Sequence, residues 1–253
     1  GTDMKRGPYI SRIALTRPIE GDRYLLDIPA VRYLAEGGAL ELRRPVTFLV
    51  GENGTGKSTL LEAVAAAWGF NPEGGTRNFR FSTEATHSAL WKSLTLTRRG
   101  FARDGFFLRA ESLYNVATNI DEMDRAPSLG GRVIDSYGGV SLHRQSHGES
   151  FLALVENRFG GEGLYLLDEP EAALSPTRQL SLLALLDELA GRSSQFIIAT
   201  HSPILMALPG AEIFQLDREG VRAVAYRETE HYQITRRFLE NPERMLRCLL
   251  EKA

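Results

Sequence analysis

The sequence predicts an α/β protein with a doubly wound core, additional N-terminal β strands and an inserted, partly helical subdomain. Three observations predict it. Val46-Thr-Phe-Leu-Val50 is a short apolar run that stops at a glycine and precedes a helix-periodic stretch. Leu164-Tyr-Leu-Leu167 is a second such run, stopping at two carboxylates, and Gln195-Phe-Ile-Ile-Ala-Thr200 is a third, reached through another helical segment. Strands that are apolar throughout and alternate with helices belong to a parallel sheet covered on both faces. With 253 residues, 43% of them hydrophobic and 25% charged, the chain can build one core with an insertion, and disordered or fibrous classes are excluded.

The elements follow in order. Gly1-Thr2-Asp3 ahead of Met4 reads as a cloning remnant, so the first unit starts at residue 4. Tyr9 to Thr16 alternates apolar and polar residues, as a half-buried strand does, and Arg23 to Ile28 is expected to be its partner strand. Lys57 to Trp68 is a helix with Leu60, Leu61, Val64 and Trp68 on one face and Gly69 past its end. Beyond Asn71 the pattern weakens, and Gly74-Gly75, Gly130-Gly131 and Gly138-Gly139 punctuate polar segments, with a strand at Phe106–Arg109 among them. Regular alternation resumes with a helix from Glu149 to Phe159 and another from Pro176 to Ala190, the latter capped by Ser175 and closed by Gly191. Ile213–Leu216 and Val221–Tyr226 form a hairpin through Arg218-Glu219-Gly220, and the tail from His231 is helical. The expected organisation is therefore 4–70 for the N-terminal strands and the first half of the core, 71–145 for the insertion and its loops, and 146–253 for the second half of the core with the terminal hairpin and helix.

Thirty Lys+Arg against 32 Asp+Glu leave a formal charge of −2, so no overall basic excess advertises nucleic acid or anionic lipid. The single cysteine, Cys248, permits no intrachain disulfide and points to a reducing, cytoplasmic setting. No apolar run approaches the ~20 residues that span a bilayer, so no membrane insertion of its own is expected.

Gly51-Glu-Asn53-Gly54-Thr55-Gly56-Lys57-Ser58-Thr59 matches the phosphate-binding pattern G-x-x-x-x-G-K-[ST] in full, between a strand and a helix. Its glycines let backbone N–H groups wrap phosphates, and the helix N-terminus adds donors and a favourable dipole. Lys57 is expected at the β- and γ-phosphates and Ser58 on Mg²⁺. The second apolar run delivers Asp168 and Glu169 to a strand's C-terminal end, where α/β folds place their sites. Asp168 fits a Mg²⁺ partner, and Glu169 fits a general base for the attacking water. A nucleoside triphosphate and Mg²⁺ are thus the expected ligands, and hydrolysis at a phosphoanhydride bond the expected reaction.

With Thr200-His201-Ser202 after the third run and Ser146-His147-Gly148-Glu149 before a helix, the sequence resembles the ATP-binding-cassette superfamily of P-loop ATPases. The order of its parts agrees: Ser146 lies 88 residues after Ser58, Asp168 22 further on, and His201 33 beyond that. The resemblance implies that His201 contacts the γ-phosphate in its own protomer, while Ser146 and Gly148 contact the one held by a second copy, so that ATP drives a head-to-tail homodimer. His147 stands where the family usually has glycine. The family's Mg²⁺-sensing glutamine is missing, there being none from Leu60 to Arg144, and Glu111 after the Phe106–Arg109 strand is the candidate for its place. Tyr9 and Tyr24 are both open as the adenine-stacking aromatic.

Asp168-Glu-Pro-Glu-Ala-Ala-Leu-Ser-Pro176 resembles the stand-alone predicted ATPases related to the chromosome-maintenance and DNA-repair branch, where transporter subunits usually carry an aspartate after the Asp-Glu pair. The gap between phosphate loop and Ser146 is too short for a long coiled coil. Three functions stay open: a stand-alone ATPase acting on a macromolecule the sequence does not name, a transporter's nucleotide-binding subunit, and a DNA-associated ATPase or nucleotide sensor. Arg98-Arg99 with Arg103, and Arg236-Arg237 with Arg244 and Arg247, are the candidate DNA-phosphate contacts.

Overall fold

The computed structural model describes residues 8–21, 23–70, 89–125 and 130–251. Chain order runs β1 (Ile10–Leu15), α1 (Pro29–Ala35), β2 (Ala39–Glu41), β3 (Val46–Val50), α2 (Lys57–Trp68), β4 (Leu94–Arg98) and β5 (Asp104–Arg109). It continues with α3 (Leu113–Arg125), α4 (His147–Arg158), β6 (Gly163–Asp168), α5 (Pro176–Gly191), β7 (Gln195–Ala199), β8 (Glu212–Asp217), β9 (Gly220–Val224), α6 (Glu230–Glu240) and α7 (Pro242–Leu250).

The main sheet has the order β5-β6-β7-β3-β8-β9, parallel except for the terminal β8–β9 hairpin. Its side chains alternate between two cores, as the pleat requires. Tyr165 and Leu167 of β6 join Phe48 of β3 and Ile198 of β7 against α3, α4 and α5, whereas Leu164, Leu166, Leu49 and Ile197 face α2 and the N-terminal layer. That second layer is an antiparallel sheet of order β2-β1-β4. Buried Gln195 clips the two sheets together, accepting from Ile10 N at 2.9 Å and donating to Ile10 O at 2.9 Å. At the edge of the main sheet, Asp104 accepts from Tyr165 Oη at 2.7 Å and pairs with Arg158 at 2.6 Å, joining β5, β6 and the end of α4.

Two expectations change. Arg23–Asp27 is a turn of 3-10 helix rather than a strand, because only Leu25 of it is buried and Pro29, with its fixed φ and no N–H, opens α1. Within 71–145, expected as an insertion, β4 pairs into the first sheet and β5 into the second. Residues 71–88 lie outside the described segments. No helix among the described residues is long and apolar enough to cross a membrane.

Candidate nucleotide site

The site lies beyond the C-terminal ends of β3, β6 and β7. Two glycines shape the phosphate loop. Gly51 has φ +143°, and a Cβ there would run into the carbonyl oxygen of Leu216 on β8. Gly56 has φ +107° at the start of α2, and a Cβ would lie 2.6 Å from Ile28 Cγ2 and 3.0 Å from Ala30 Cβ, so only glycine lets α1 pack on the loop. Ala30 N donates to Thr55 O at 3.1 Å and Thr55 Oγ1 to Glu52 O at 2.7 Å, closing the turn around Gly54.

Lys57 is buried and donates to Gly51 O at 2.6 Å and Glu52 O at 3.2 Å. Burial lowers its pKa, while the carboxylates of Glu169, Asp168, Glu171 and Glu52 act to raise it. Ser58 Oγ donates to Asp168 Oδ1 at 2.9 Å, so the first residues of α2 and the end of β6 meet through a hydroxyl–carboxylate bond. Asp168 is buried and its pKa is raised to about 6 by that burial, against the opposing pull of Arg109 and the Ser58 hydrogen bond.

Glu169 takes the left-handed conformation, φ +50°, uncommon for a residue with a side chain and of the kind that collects at functional sites. The turn aims its carboxylate at His201: Oε1 lies 3.1 Å from Nε2, and Asn53 Oδ1 of the phosphate loop lies 3.0 Å from the same nitrogen. Glu171 then fixes the switch segment, Thr200-His201-Ser202 after β7, accepting from Thr200 Oγ1 at 2.8 Å and from His201 N at 2.6 Å. Ser146 caps α4: its Oγ accepts from Glu149 N at 3.2 Å and Glu149 Oε2 accepts from Ser146 N at 3.4 Å. Ser146 is exposed, whereas Gly148 is buried beneath Arg178, where a Cβ would sit 2.7 Å from Cδ.

The family model described as "AAA domain, putative AbiEii toxin, Type IV TA system" matches residues 87–207, and a second AAA-domain model matches 26–104. The cytochrome c biogenesis ATP-binding export protein CcmA of Rhizobium etli is 30% identical over 186 residues, 68% of this chain and 79% of that protein. This chain belongs to the ATP-binding-cassette superfamily of ATPases. The retron Vc95 probable ATPase of Vibrio cholerae serotype O1 biovar El Tor is 29% identical over 126 residues, 43% of this chain and 24% of that protein. Among solved structures, cbiO1 from Clostridium perfringens, part of the ABC transporter complex cbiONQ, shares the fold with a TM-score of 0.50 and 18% identity over 97% of this chain and 100% of that one.

In this ATP-binding-cassette ATPase the structure brings together Lys57, Ser58, Asn53, Asp168, Glu169 and His201, while Ser146 caps the start of α4. Glu111 is exposed in the turn after β5, two residues past Arg109, which stands opposite Asp168 in the strand register. Tyr9 does not serve adenine: it is 2% exposed and donates to Ser193 O at 2.8 Å, leaving Tyr24 as the exposed candidate of the two. Of the arginines considered for DNA, Arg98 lies over the Trp68 ring, Arg103 pairs with Glu162 and Arg236 with Glu240. Sequence reasoning missed Arg109, whose Nε lies 3.3 Å from Asp168 Oδ2 and whose Nη1 lies 3.3 Å from Glu62. It also missed Glu171 as the anchor of the switch segment, and His231 of α6, Nε2 of which lies 3.3 Å from His201 Nδ1. Burial and then His201 lower the pKa of His231.

Asp168 gives a stability prediction. Its folded-state pKa, about 6, stands above the ordinary 3.8, so the stability tied to its protonation is complete below pH 3.8 and is lost as pH rises through about 6. Without nucleotide, Asp168→Asn is expected to unfold later than wild type at pH 7.5, by on the order of 2–3 kcal/mol, and to match it more closely near pH 4. Denaturant melts at the two pH values check this; equal stabilities at pH 7.5 would show that the carboxylate is not strained by its burial.

Proposed function

We propose that this ATPase hydrolyses ATP in a Mg²⁺-dependent reaction, works as a stand-alone protein in the cytoplasm, and closes head-to-tail into a homodimer on ATP. The observation that carries the reading is the Ser58–Asp168 bond lying beside the Glu169–His201 pair at the mouth of the phosphate loop. Ser58 and Asp168 fit a hard divalent cation: one is a hydroxyl, and the other is a carboxylate whose pKa burial raises, so that its charged form gains from a cation. Held there, Mg²⁺ would neutralise charge on the phosphates. Lys57 binds phosphate oxygens, Glu169 takes the proton of the attacking water, and His201 orients the γ-phosphate. Glu111 stands at the same sheet end, as the substitute for the missing glutamine.

Stand-alone action is favoured by Glu171. It occupies the segment where transporter subunits usually carry aspartate, and here it is committed to holding Thr200 and His201 within its own chain. The similarity to CcmA, a named export protein, favours the second reading, a transporter's nucleotide-binding subunit. The purified chain is expected to turn over ATP with Mg²⁺ and no membrane partner, and to stop in EDTA; activity that requires a membrane protein would decide for the second reading. Lys57→Ala removes charge-assisted contacts and is expected to weaken ATP binding roughly 10- to 150-fold. Calorimetry showing unchanged affinity in a folded Lys57→Ala protein would defeat the phosphate-loop assignment.

A further inference from the structure

Helix α6 enters the nucleotide site through one side chain, His231 of its first turn. The rings of His231 and His201 have centroids 5.3 Å apart and planes tilted by 49°. Three anchors fix that turn. Gln215 Oε1, on β8, accepts from Glu230 N at 3.1 Å. Buried Thr229 accepts from Tyr232 N at 3.3 Å and donates to Tyr226 O at 2.8 Å. Tyr226 Oη in turn donates to Pro203 O at 2.6 Å, two residues past His201. His231 is therefore tied both to the strand beside β3, which leads into the phosphate loop, and to the switch segment itself.

The positions of the ring protons follow from the partners. His201 Nε2 faces Glu169 Oε1, and a carboxylate can only accept, so Nε2 carries the hydrogen. In a neutral ring Nδ1 then holds a lone pair, and the 3.3 Å contact is completed only by a donor on His231 Nε2. We propose that His231 is a positioning residue for His201: its Nε2–H donates to His201 Nδ1 and, from the side opposite Glu169, reinforces the tautomer whose own Nε2–H points at Glu169 and, with ATP bound, at the γ-phosphate. The opposite tautomer would set a lone pair against the carboxylate and have nothing to donate to a phosphate oxygen. A C-terminal helix outside the sheet thus sets the proton arrangement of the switch histidine.

The catalytic half of this inference rests on the proposed ATP hydrolysis, and its test includes a measurement that needs no nucleotide. His231→Gln keeps an N–H donor at about the reach of Nε2, whereas His231→Phe keeps a ring and removes the donor. The chain has five histidines, few enough to resolve in nitrogen-15 ring spectra of the 253-residue chain. His201 is expected as the Nε2–H tautomer in wild type and in His231→Gln; in His231→Phe Glu169 alone favours that form, and the Nδ1–H population is expected to rise measurably. Loss of one hydrogen bond of ordinary strength gives an expected kcat roughly 2- to 12-fold lower in His231→Phe with KM within about twofold, and His231→Gln closer to wild type than His231→Phe. A wild-type His201 found as the Nδ1–H tautomer overturns the inference without any variant, and so does an unchanged tautomer in folded His231→Phe. Equal kcat losses in the two variants would mean that ring packing matters and the donor does not, which also overturns it. The expected tautomers in a wild type that does not hydrolyse ATP would defeat the functional reading while supporting the assignment of the His231 donor.

Discussion

Glu169→Gln is expected to leave ATP binding nearly intact and to slow turnover about 10²–10⁴-fold, the range for a positioned acid–base group. Glutamine has the size and reach of glutamate, and its amide oxygen can still accept from His201 Nε2, so the 3.1 Å contact and the left-handed turn at position 169 are kept. What the amide cannot do is take a proton. The loss therefore isolates proton transfer from positioning, and it should appear in single-turnover rates with little change in ATP affinity. The neighbouring carboxylate behaves differently in every part of this argument. Asp168 is 6% exposed and bonded to Ser58, whereas the Glu169 side chain is 37% exposed and within reach of water. Single-turnover rates for Glu169→Gln equal to wild type would assign the base to another residue.

The parts of this site that could be read from sequence are those whose chemistry is local. The phosphate loop spells out its own geometry in consecutive residues, and β3, α2, β6, α5 and β7 each carry an apolar pattern bounded by a cap, a glycine or a charge. Glu169 and His201 were legible because they end apolar strands, which α/β folds align at one sheet edge. Residues that act across the sheet had no such signal. Arg109 meets Asp168 because β5 pairs with β6 in a register that sets the two opposite each other, and nothing near position 109 announces that pairing. His231 is one histidine on an amphipathic helix, 30 residues beyond His201; its role depends on Gln215 and Tyr226 holding α6 against the switch segment. Arg23–Asp27 was misread for the converse reason. Tyr24-Leu25-Leu26 looks like a strand, yet Tyr24 and Leu26 are exposed and the segment serves to turn the chain into α1, whose start packs against Gly56.

Dimer closure is the remaining large effect. In ATP, Glu169→Gln is expected to accumulate as a dimer that ADP does not support, and adding Ser146→Arg is expected to abolish it. Ser146 is exposed at the start of a 12-residue helix, where unpaired N–H groups and the positive end of the helix dipole favour an anion. Within its own chain the phosphate loop is already surrounded by Lys57, Asn53 and His201, so the start of α4 is free to meet the γ-phosphate of a second copy. The capping box uses two of the donor–acceptor pairs at this terminus internally and leaves the hydroxyl hydrogen of Ser146 to be directed outward. Arginine at 146 removes that hydroxyl and adds bulk at the point of approach. It also removes a cap whose loss costs about 1 kcal/mol, so the double variant must first be shown to bind ATP with the affinity of Glu169→Gln. Light scattering then decides. A Glu169→Gln protein that stays monomeric in ATP at high concentration, or a double variant that binds ATP and dimerises equally well, would mean that the α4 cap serves only its own chain.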